Sequence, residues 1–390
     1  MAVSTLPTLS AEAPSILLDA AEATAACADA ATAQASYWRA VLSEGAAAFA
    51  ENFRVRTGVV AYQDRAWPLV LSDGPSGSAY PASLHCHYVS YPRDELHLVR
   101  SPVLRSAARA GFNLFEGLAR LAMVDRTVQW NGWLFSTNPQ PPDIAAAAPE
   151  ITAALVRRFP HHAVVVRGLH GYLDPHLPAR FATAGYDLFT ARQIYLFDGR
   201  NPEFMRRYNV KTDLKSLRRL PSHRLIGPDE FDQADAPRMT ELYRLLYLDK
   251  HSRHNPVYTV DFVRRALRER WLDFRGLRHS SGRLDAVCGS FLADGVATTP
   301  FFGHDTTQPP ALGLYRLLVA RLLEETAEAG RVLNYSSGAG AFKRHRGAVP
   351  VIEFNAIYTR HLPAPRRAAF GLLKLLINGP GRRFLEDNGV

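Results

Sequence analysis

Two neighbouring side chains, His304 and Asp305, carry the residue types that proton transfer requires. They follow an apolar stretch, residues 299–303, that is predicted to end a β-strand. An imidazole or a carboxylate held at the end of a strand can accept the proton of an attacking amine. Asp305 equally fits the capping of the loop that follows it. We therefore interpret His304 and Asp305 as candidate general bases.

A second group of polar residues follows the next predicted strand, residues 331–335. Asn334 and Ser336 stand at its end, where they can orient a substrate or an oxyanion, although a turn role fits Ser336 equally. Lys343 lies in the basic sequence Phe-Lys-Arg-His-Arg-Gly at 342–347. Its ammonium can stabilise negative charge that develops on a reacting carbonyl, and the alternative is a solvated basic turn.

The loop between these two strands predicts an anion site. Gln308, Pro309 and Pro310 precede a helix predicted over residues 311–329. The N–H groups at the start of a helix lack partners and carry partial positive charge, so they can hold a phosphate. The two prolines remove two donors from the loop. The donors that remain belong to Ala311, Leu312, Gly313, Leu314 and Tyr315.

The order strand, helix, strand, short helix, strand occurs twice in the chain. It covers residues 128–197 and 299–358, and the residues Gln-Pro-Pro recur at 140–142 and 308–310. A repeat of element order and of loop sequence indicates an internal duplication. In the first copy Asp143 stands at the turn, where a carboxylate repels a phosphate and suits a helix cap. We therefore expect an active second half and a degenerate first half.

These elements predict an α/β protein made of two tandem domains, each with a central mixed sheet flanked by helices. The expected division is a helical lead-in at 1–50, a degenerate domain at 51–200, a basic helical connector at 201–225, an active domain at 226–363, and a C-terminal helix and tail at 364–390. A further strand is predicted at 84–89. His85 and His87 would share one face of it, and we interpret them as surface histidines because no third metal ligand is in view.

The composition is typical of a soluble globular protein. The chain has 390 residues, 47% of them hydrophobic, and its net charge is 46 − 37 = +9. This charge suits acidic partners, and the alternative is a background composition biased toward Arg and Ala. Its three cysteines lie far apart, and it shows neither a basic signal-peptide region nor an apolar run long enough to span a membrane. We expect a cytoplasmic protein with no metal and no tightly bound cofactor.

The loop at 308–313 resembles the pyrophosphate-binding loop of the GNAT acyltransferase superfamily, Gln/Arg-x-x-Gly-x-Gly/Ala. Gln308 and Gly313 match that motif, and Ala311 departs from it. The resemblance implies that Gln308 and the residues after it bind an acyl-CoA thioester as co-substrate. An acyl-phosphopantetheine arm on an acyl carrier protein is the other donor in view, since it needs fewer contacts with a loop that has lost two N–H groups.

The sequence at 342–347 resembles the Phe-Lys-x-x-Phe-Gly motif of the Fem-type peptidoglycan transferases, which also have tandem GNAT-like halves. Phe342, Lys343 and Gly347 match, and Arg346 stands in place of the second Phe. The resemblance implies that Lys343 stabilises charge at the reacting carbonyl. Transferases of this type use aminoacyl-tRNA, and the basic helix predicted near 205–219 suits such a partner.

The second half is also similar to tandem-GNAT enzymes of natural-product clusters, which move a fatty or polyketide acyl chain from a carrier onto a peptide amine. Residues 247–256, 303–305 and 343–347 carry this similarity. It implies that residues 247–256 form a loop that covers the site and contacts the acceptor. The alternative is a solvated polar insert. The predicted acceptor residues are Lys250, His251, His254, Asn334 and Tyr358, the last of which is otherwise an ordinary strand residue.

We therefore predict an N-acyltransferase that moves an acyl group from a CoA or carrier-protein thioester to an amine of a peptide or small molecule. Two alternatives stay open. One is an aminoacyl-tRNA-dependent transferase, although tRNA ranks below a thioester donor as a partner. The other is a non-catalytic binding protein in which both halves have decayed.

Overall fold

The computed structural model describes residues 11–27, 32–98, 102–383 and 385. The strands are β1 (Ala11–Leu17), β2 (Arg56–Gln63), β3 (Arg65–Asp73), β4 (Arg126–Trp130), β5 (Ala163–Leu169), β6 (Asp187–Asp198), β7 (His223–Ile226), β8 (Asp273–His279), β9 (Leu284–Ala293), β10 (Val296–His304), β11 (Val332–Asn334) and β12 (Val349–Tyr358). They form one sheet in the order β1-β2-β3-β4-β5-β12-β6-β11-β10-β9-β8-β7.

Helices connect and flank these strands. They are α1 (Ala20–Ala26), α2 (Ala33–Glu44), α3 (Tyr91–Asp94), α4 (Pro102–Ala122), α5 (Ile144–Arg158), α6 (Leu177–Thr183), α7 (Tyr208–Arg218), α8 (Ala236–Tyr243), α9 (Val260–Arg268), α10 (Leu314–Glu328), α11 (Gly340–His345) and α12 (Ala364–Leu376). The predicted mixed α/β fold is therefore confirmed.

The sheet contains the same unit twice. β4 and β5 are parallel and are joined through α5, and β10 and β11 are parallel and are joined through α10. The other neighbouring pairs among the described strands are antiparallel. A parallel pair needs a crossover connection, and in each half the long helix after the Gln-Pro-Pro loop supplies it.

The two halves exchange their last strands. β6, which ends the first half, lies beside β11 of the second half, and β12 lies beside β5 of the first. β6 and β12 pair with each other at the centre. The two sheets expected from the sequence are thus joined into one, so a cut near 201–225 separates strands that pair across it. The proposed domain limits stay a prediction.

The N-terminal segment differs from the expected helical lead-in. α1 and α2 form as predicted, but residues 11–17 form the edge strand β1 against β2. The strand places Ile16 against the apolar cluster that contains Trp67, which removes apolar surface from water. On α2, the indole N–H of Trp38 donates to the Gly58 carbonyl at 3.1 Å, and Tyr37 stacks on Phe135 at 4.7 Å.

Residues 84–89, predicted as a strand, are helical instead. The hydroxyl of Ser83 accepts the backbone N–H of Cys86 at 2.8 Å, which is an N-terminal capping bond. The carboxylate of Asp125 accepts hydrogen bonds from Ser83 Oγ and from the His85 N–H at 2.9 Å each. A π-helical turn from Cys86 to Ser90 follows. His85 and His87 therefore do not share a strand face, and the ring of His87 packs against Tyr88.

Candidate active site in the second half

A wedge opens between β10 and β11. Three residue pairs join the strands, the last being Thr298 with Asn334, and β10 then continues to His304 paired with β9 on its other side. The pairing of β10 with β9 is irregular between Thr298 and Phe301, where Pro300 has no N–H to give. The chain after β11 stays with β6 instead of following β10, because the Tyr335 N–H donates to the Tyr195 carbonyl of β6 at 2.9 Å. The free edge of β10 therefore offers unpaired backbone groups to a ligand.

The helix at the mouth of this wedge begins later than predicted. A short 3-10 turn, Pro310–Leu312, comes first, and α10 begins at Leu314. The N–H groups of Leu312 and Gly313 donate to the carbonyls of Pro309 and Pro310 at 3.0 Å each, so they are not free for a phosphate. This corrects the prediction for Leu312 and Gly313. Ala311 lies in the exposed turn ahead of the helix, and Gln308 lies half-buried.

The donors that α10 does present are the first-turn N–H groups of Leu314, Tyr315 and Arg316, which have no intrahelical acceptor. No side chain caps this end, because the N-cap residue is Gly313. Gly313 has φ +65°, and a Cβ there would lie 2.3 Å from Nε of Arg316. The backbone therefore favours glycine at this position.

A buried ion cluster fixes this helix start to its neighbours. The carboxylate of Asp213 on α7 accepts hydrogen bonds from Arg316 and from Arg346, the latter at 2.6 Å. The guanidinium of Arg346 lies 3.6 Å from the ring centroid of Phe342. Arg346 stands where the Phe-Lys-x-x-Phe-Gly motif has its second Phe. Its apolar stem can pack where that ring would lie, and its charge pairs with Asp213.

His304 is the residue best placed to accept a proton. It lies half-buried at the end of β10, its ring centroid is 5.9 Å from that of Tyr315, and its buried Nδ1 has no partner among the described residues. Burial, together with the nearby Lys250 cation, lowers the pKa of His304 below its usual value. The imidazole is therefore neutral at physiological pH and can act as a base.

Asp305 is held in a different role. Its Oδ2 accepts a hydrogen bond from Arg238 at 2.6 Å, and its Oδ1 accepts the N–H and the hydroxyl of Thr307 at 3.0 and 2.6 Å. Burial alone would raise the pKa of Asp305, but these hydrogen bonds outweigh it and lower the pKa to about 2. A carboxylate this acidic is a weak base at neutral pH, so the geometry matches the loop-capping alternative.

Lys343 is held by backbone carbonyls just after β11. Its ammonium donates to the carbonyls of Tyr335, Ser336 and Ser337 at 2.6, 3.2 and 2.8 Å, which uses all three of its protons. The residue is 2% exposed, and burial lowers the pKa of Lys343 well below its usual value. The lysine therefore fixes the chain that leaves β11.

Ser336 and Asn334 form the turn at the end of β11. Ser336 has φ +58°, and its N–H donates to Oδ1 of the buried Asn334 at 3.0 Å. The Ser336 hydroxyl accepts a hydrogen bond from Nη1 of Arg192 at 3.1 Å. The structure thus brings Ser336 to the wall of the wedge, held by a strand of the other half.

The polar insert after α8 covers this region and touches the first half. His254 lies 3.4 Å from Asp94, and the carbonyl of His254 accepts the Tyr80 N–H at 3.1 Å. Lys250 and His251 are exposed.

Tyr358 is not brought to this site. It lies opposite Val164 of β5 in the first half, with its ring stacked at 5.8 Å on His361.

In the first half the equivalent gap is filled by amide side chains. The side-chain amide of Asn138 donates to the carbonyls of Asn131 and Arg167, and that of Gln140 donates to Gly168, so the two strand ends are bridged. Asp143 precedes α5 without a side-chain cap bond, contrary to the capping role expected for it, and lies 3.4 Å from Arg65. These contacts support a first half that holds no thioester.

Sequence reasoning missed a buried polar group between the halves. Arg192 on β6 donates to Glu353 on β12 at 2.6 Å and to the carbonyl of Ser136 at 2.5 Å. Arg167 on β5 lies nearby, beneath the ring of Tyr80. The sequence does contain a signal, since each charged residue interrupts an apolar strand. Only the exchange of strands brings them together.

No cluster of three or more His, Cys, Asp or Glu side chains among the described residues could hold a metal ion. No described helix combines the length and the apolar character needed to cross a bilayer.

No protein-family profile matches the chain, and no curated protein sequence matches it. Solved structures do match. A tandem GNAT protein from the clavulanic acid biosynthesis pathway is 13% identical and has a TM-score of 0.41, with 90% of this chain and 99% of that chain covered. FemX is 7% identical over 59% of this chain and 80% of its own, with a TM-score of 0.43.

A GCN5-related N-acetyltransferase from Kribbella flavida is 11% identical, covers 60% of this chain and 81% of its own, and has a TM-score of 0.33. The chain is thus similar to GNAT-fold proteins at low sequence identity.

Proposed function

We propose that the second half binds an acyl thioester in the wedge between β10 and β11 and transfers the acyl group to an amine. The observation that carries this proposal is the separation of two parallel strands in front of an uncapped helix start. The wedge offers free backbone groups to the arm of a thioester, and the helix start offers N–H groups to its phosphate. In the first half, by contrast, amide side chains bridge the gap between the two parallel strands.

The donor would lie along the free edge of β10, with its phosphate at the N–H groups of Leu314, Tyr315 and Arg316. Acyl-CoA and an acyl-phosphopantetheine arm share this chemistry, so both are donors under the proposal. Gln308 stands at the entrance to the loop and stays a predicted donor contact. Arg316 is tied to Asp213, which holds the first turn in place before a ligand arrives.

The transfer itself needs one base and no redox partner. The nitrogen of the acceptor amine attacks the thioester carbonyl carbon, and a C–N bond forms while His304 accepts the amine proton. The C–S bond then breaks, and the sulfur leaves with the bonding electron pair and takes up a proton to give a free thiol. The products are an amide and that thiol. His304 suits this role because it is neutral, half-buried and unpartnered at Nδ1.

Lys343 and Ser336 have positioning roles in this proposal. The ammonium of Lys343 gathers three successive carbonyls and so shapes the wall of the wedge. Ser336, held by Arg192, stays the candidate for orienting the substrate. Lys250, His251 and His254 belong to the covering insert, where contact with the acceptor remains proposed.

The test uses the purified full chain with acyl-CoA thioesters of several chain lengths, an acyl-phosphopantetheine carrier protein and a panel of amines, while free thiol is followed. We expect thiol release that depends on the amine and is strongly reduced in His304→Asn. His279→Asn is the matched control, because His279 is a half-buried histidine at the end of β8, two strands away from β10 in the sheet, and its Nδ1 bonds Ser281. No thiol release with any pair of donor and amine would refute the proposal.

A second candidate is the aminoacyl-tRNA-dependent reaction. The observation that favours it is the exposed basic face of α7, with Lys211 and Lys215, on a helix tied to the start of α10 through Asp213 and Arg316. It predicts tRNA binding that weakens steeply as salt increases. A gel-shift assay at low salt that detects no tRNA complex removes this candidate.

A further inference from the structure

A buried guanidinium with one unpartnered nitrogen lies in the seam between the two halves, where β12 pairs with β5 and with β6. Arg167 on β5 is 5% exposed, and its buried Nη1 has no hydrogen-bond partner within the described residues. Its guanidinium carbon lies 6.0 Å from the ring centroid of Tyr80. Arginine keeps its proton in proteins, and burial lowers the pKa of Arg167 only to about 10. A permanent positive charge is therefore held inside the protein, which is unfavourable unless an anion joins it.

On the described strands β5, β6 and β12, buried cations outnumber buried carboxylates. The buried charged side chains of these strands are Arg167, Arg192 and Glu353, two cations and one carboxylate. Oε2 of Glu353 accepts the hydrogen bond from Arg192, while its Oε1 has no partner among the described residues. Burial lowers the pKa of His87 to about 3 and also lowers the pKa of His170, so both rings are neutral.

The remaining groups that face the seam are phenols. Tyr88 accepts a hydrogen bond from Asn355 at 3.0 Å, and Tyr91 receives one from Asn255 at 3.4 Å. Burial raises the pKa of Tyr88, of Tyr91 and of Tyr247 above their usual values, so these side chains carry no charge. All three are half-buried, so part of each side chain is accessible to solvent.

This seam is continuous with the wedge of the second half. Arg192 donates to the hydroxyl of Ser336 at 3.1 Å, and Ser336 ends the strand that bounds the wedge. Tyr247 lies close to Tyr315, whose backbone N–H belongs to the first turn of α10. A ligand bound in the seam would therefore lie next to the proposed thioester site.

We propose that Arg167, together with Arg192, binds the carboxylate of the amine acceptor, so that the acceptor is an α-amino acid or a short peptide with a free C-terminus. The inference rests on the proposed function and specifies its acceptor. A guanidinium offers a planar pair of donors that fits a carboxylate. One buried cation is in excess on these three strands, and a monoanionic carboxylate supplies one negative charge.

The experiment compares acceptors in matched pairs that differ only at the carboxylate, such as phenylalanine with phenylalaninamide and a dipeptide with its C-terminal amide. Free thiol is followed at saturating donor. We expect kcat/KM to be about 10- to 100-fold higher for the carboxylate member, as a buried charge-assisted hydrogen bond predicts. Equal kcat/KM for the two members of each pair overturns the inference.

Variants then assign this preference to Arg167. Arg167→Met should abolish the difference within a pair by raising KM for the carboxylate member, and Arg167→Lys should retain most of it. Arg158→Met is the matched control, because Arg158 is exposed in the last turn of α5. If Arg167→Met does not fold, the comparison of acceptor pairs in the wild type and in Arg167→Lys still tests the inference. A preference that persists in Arg167→Met overturns the inference.

A binding measurement separates this inference from the proposed function. Titration calorimetry of the wild-type chain uses the unreactive pair propionate and propionamide, inorganic phosphate, and an acyl-CoA. Binding of propionate but not propionamide supports the seam site even if thiol release fails. Equal binding of phosphate and propionate overturns the carboxylate assignment. Thioester turnover without any carboxylate preference leaves the proposed function standing and overturns only the acceptor assignment.

Discussion

Arg192 and Glu353 lie opposite each other on β6 and β12, and Nε of Arg192 donates to Oε2 of Glu353 at 2.6 Å. Their strands are the last strands of the two halves, so the pair forms only when both strands have crossed. The side chains are 10% and 4% exposed. A buried ion pair of this kind adds little net stability, but it makes the loss of either partner costly.

We expect Glu353→Ala to lower the free energy of unfolding by about 3–5 kcal/mol, because it leaves Arg192 charged and buried. The double variant Arg192→Met/Glu353→Met should cost less than the single one, since it removes both charges. Urea denaturation measures both. Glu203→Ala, which breaks the exposed pair of Glu203 and Arg206, is the control and should change stability by about 1 kcal/mol or less. An equally small loss in Glu353→Ala contradicts the prediction.

Lys343→Met distinguishes a positioning lysine from a catalytic one. Three carbonyls lose their ammonium donor, so the free energy of unfolding should fall by about 1–3 kcal/mol, and KM for the thioester should rise. Thermal or urea unfolding and steady-state kinetics give the two readings. Unchanged stability with a large loss of kcat alone would instead indicate that Lys343 acts at the reacting carbonyl.

His304 predicts the pH dependence of the reaction. Because burial and Lys250 lower the pKa of His304, the imidazole stays deprotonated down to a pH below its usual value. The rate should therefore be constant near neutral pH and should fall on the acidic side, below about pH 6.5. His304→Asn should reduce kcat about 100-fold or more and remove this acidic limb. An acidic limb that persists in His304→Asn assigns the proton transfer to another group.

Asp305 contributes stability that depends on pH. Its folded pKa of about 2 lies below the ordinary value of 3.8, so the carboxylate stabilises the fold fully above about pH 4 and less as the pH falls toward 2. Asp305→Asn should cost about 2 kcal/mol at pH 7. The wild-type and variant unfolding curves should converge near pH 2. A difference that is independent of pH contradicts this assignment.

Gly313→Ala tests the helix start. The residue has φ +65°, and the added Cβ would meet Arg316, so we expect a loss of about 1 kcal/mol or more in stability and weaker thioester binding. Gly371→Ala is the matched control, because Gly371 lies inside α12 with open space around its Cβ. It should be neutral or slightly stabilising. Equal effects of the two changes refute a special role for Gly313.

The sequence alone determined the elements and their repetition. The apolar strands, the two Gln-Pro-Pro loops and the helix after each of them are local patterns, and the structure shows a parallel strand pair with its crossover helix at both places. At residues 84–89 the sequence predicts a strand, and the structure has a helical turn instead. Ser83 and Asp125, which are 42 positions apart, stabilise the start of that turn.

Only the tertiary structure decided what the polar residues do. Asp305 and Lys343 have the residue types of catalysis, but both are already hydrogen-bonded inside the protein. Asp305 accepts from Arg238 and Thr307, and Lys343 donates to three backbone carbonyls. The seam of Arg167, Arg192 and Glu353 exists because β6 and β12 exchange between the halves, and no spacing in the sequence encodes that exchange. Hydrogen bonds between strands form through the backbone, which offers the same donor and acceptor in every residue type except proline. The sequence therefore specifies the strands, and packing selects their neighbours.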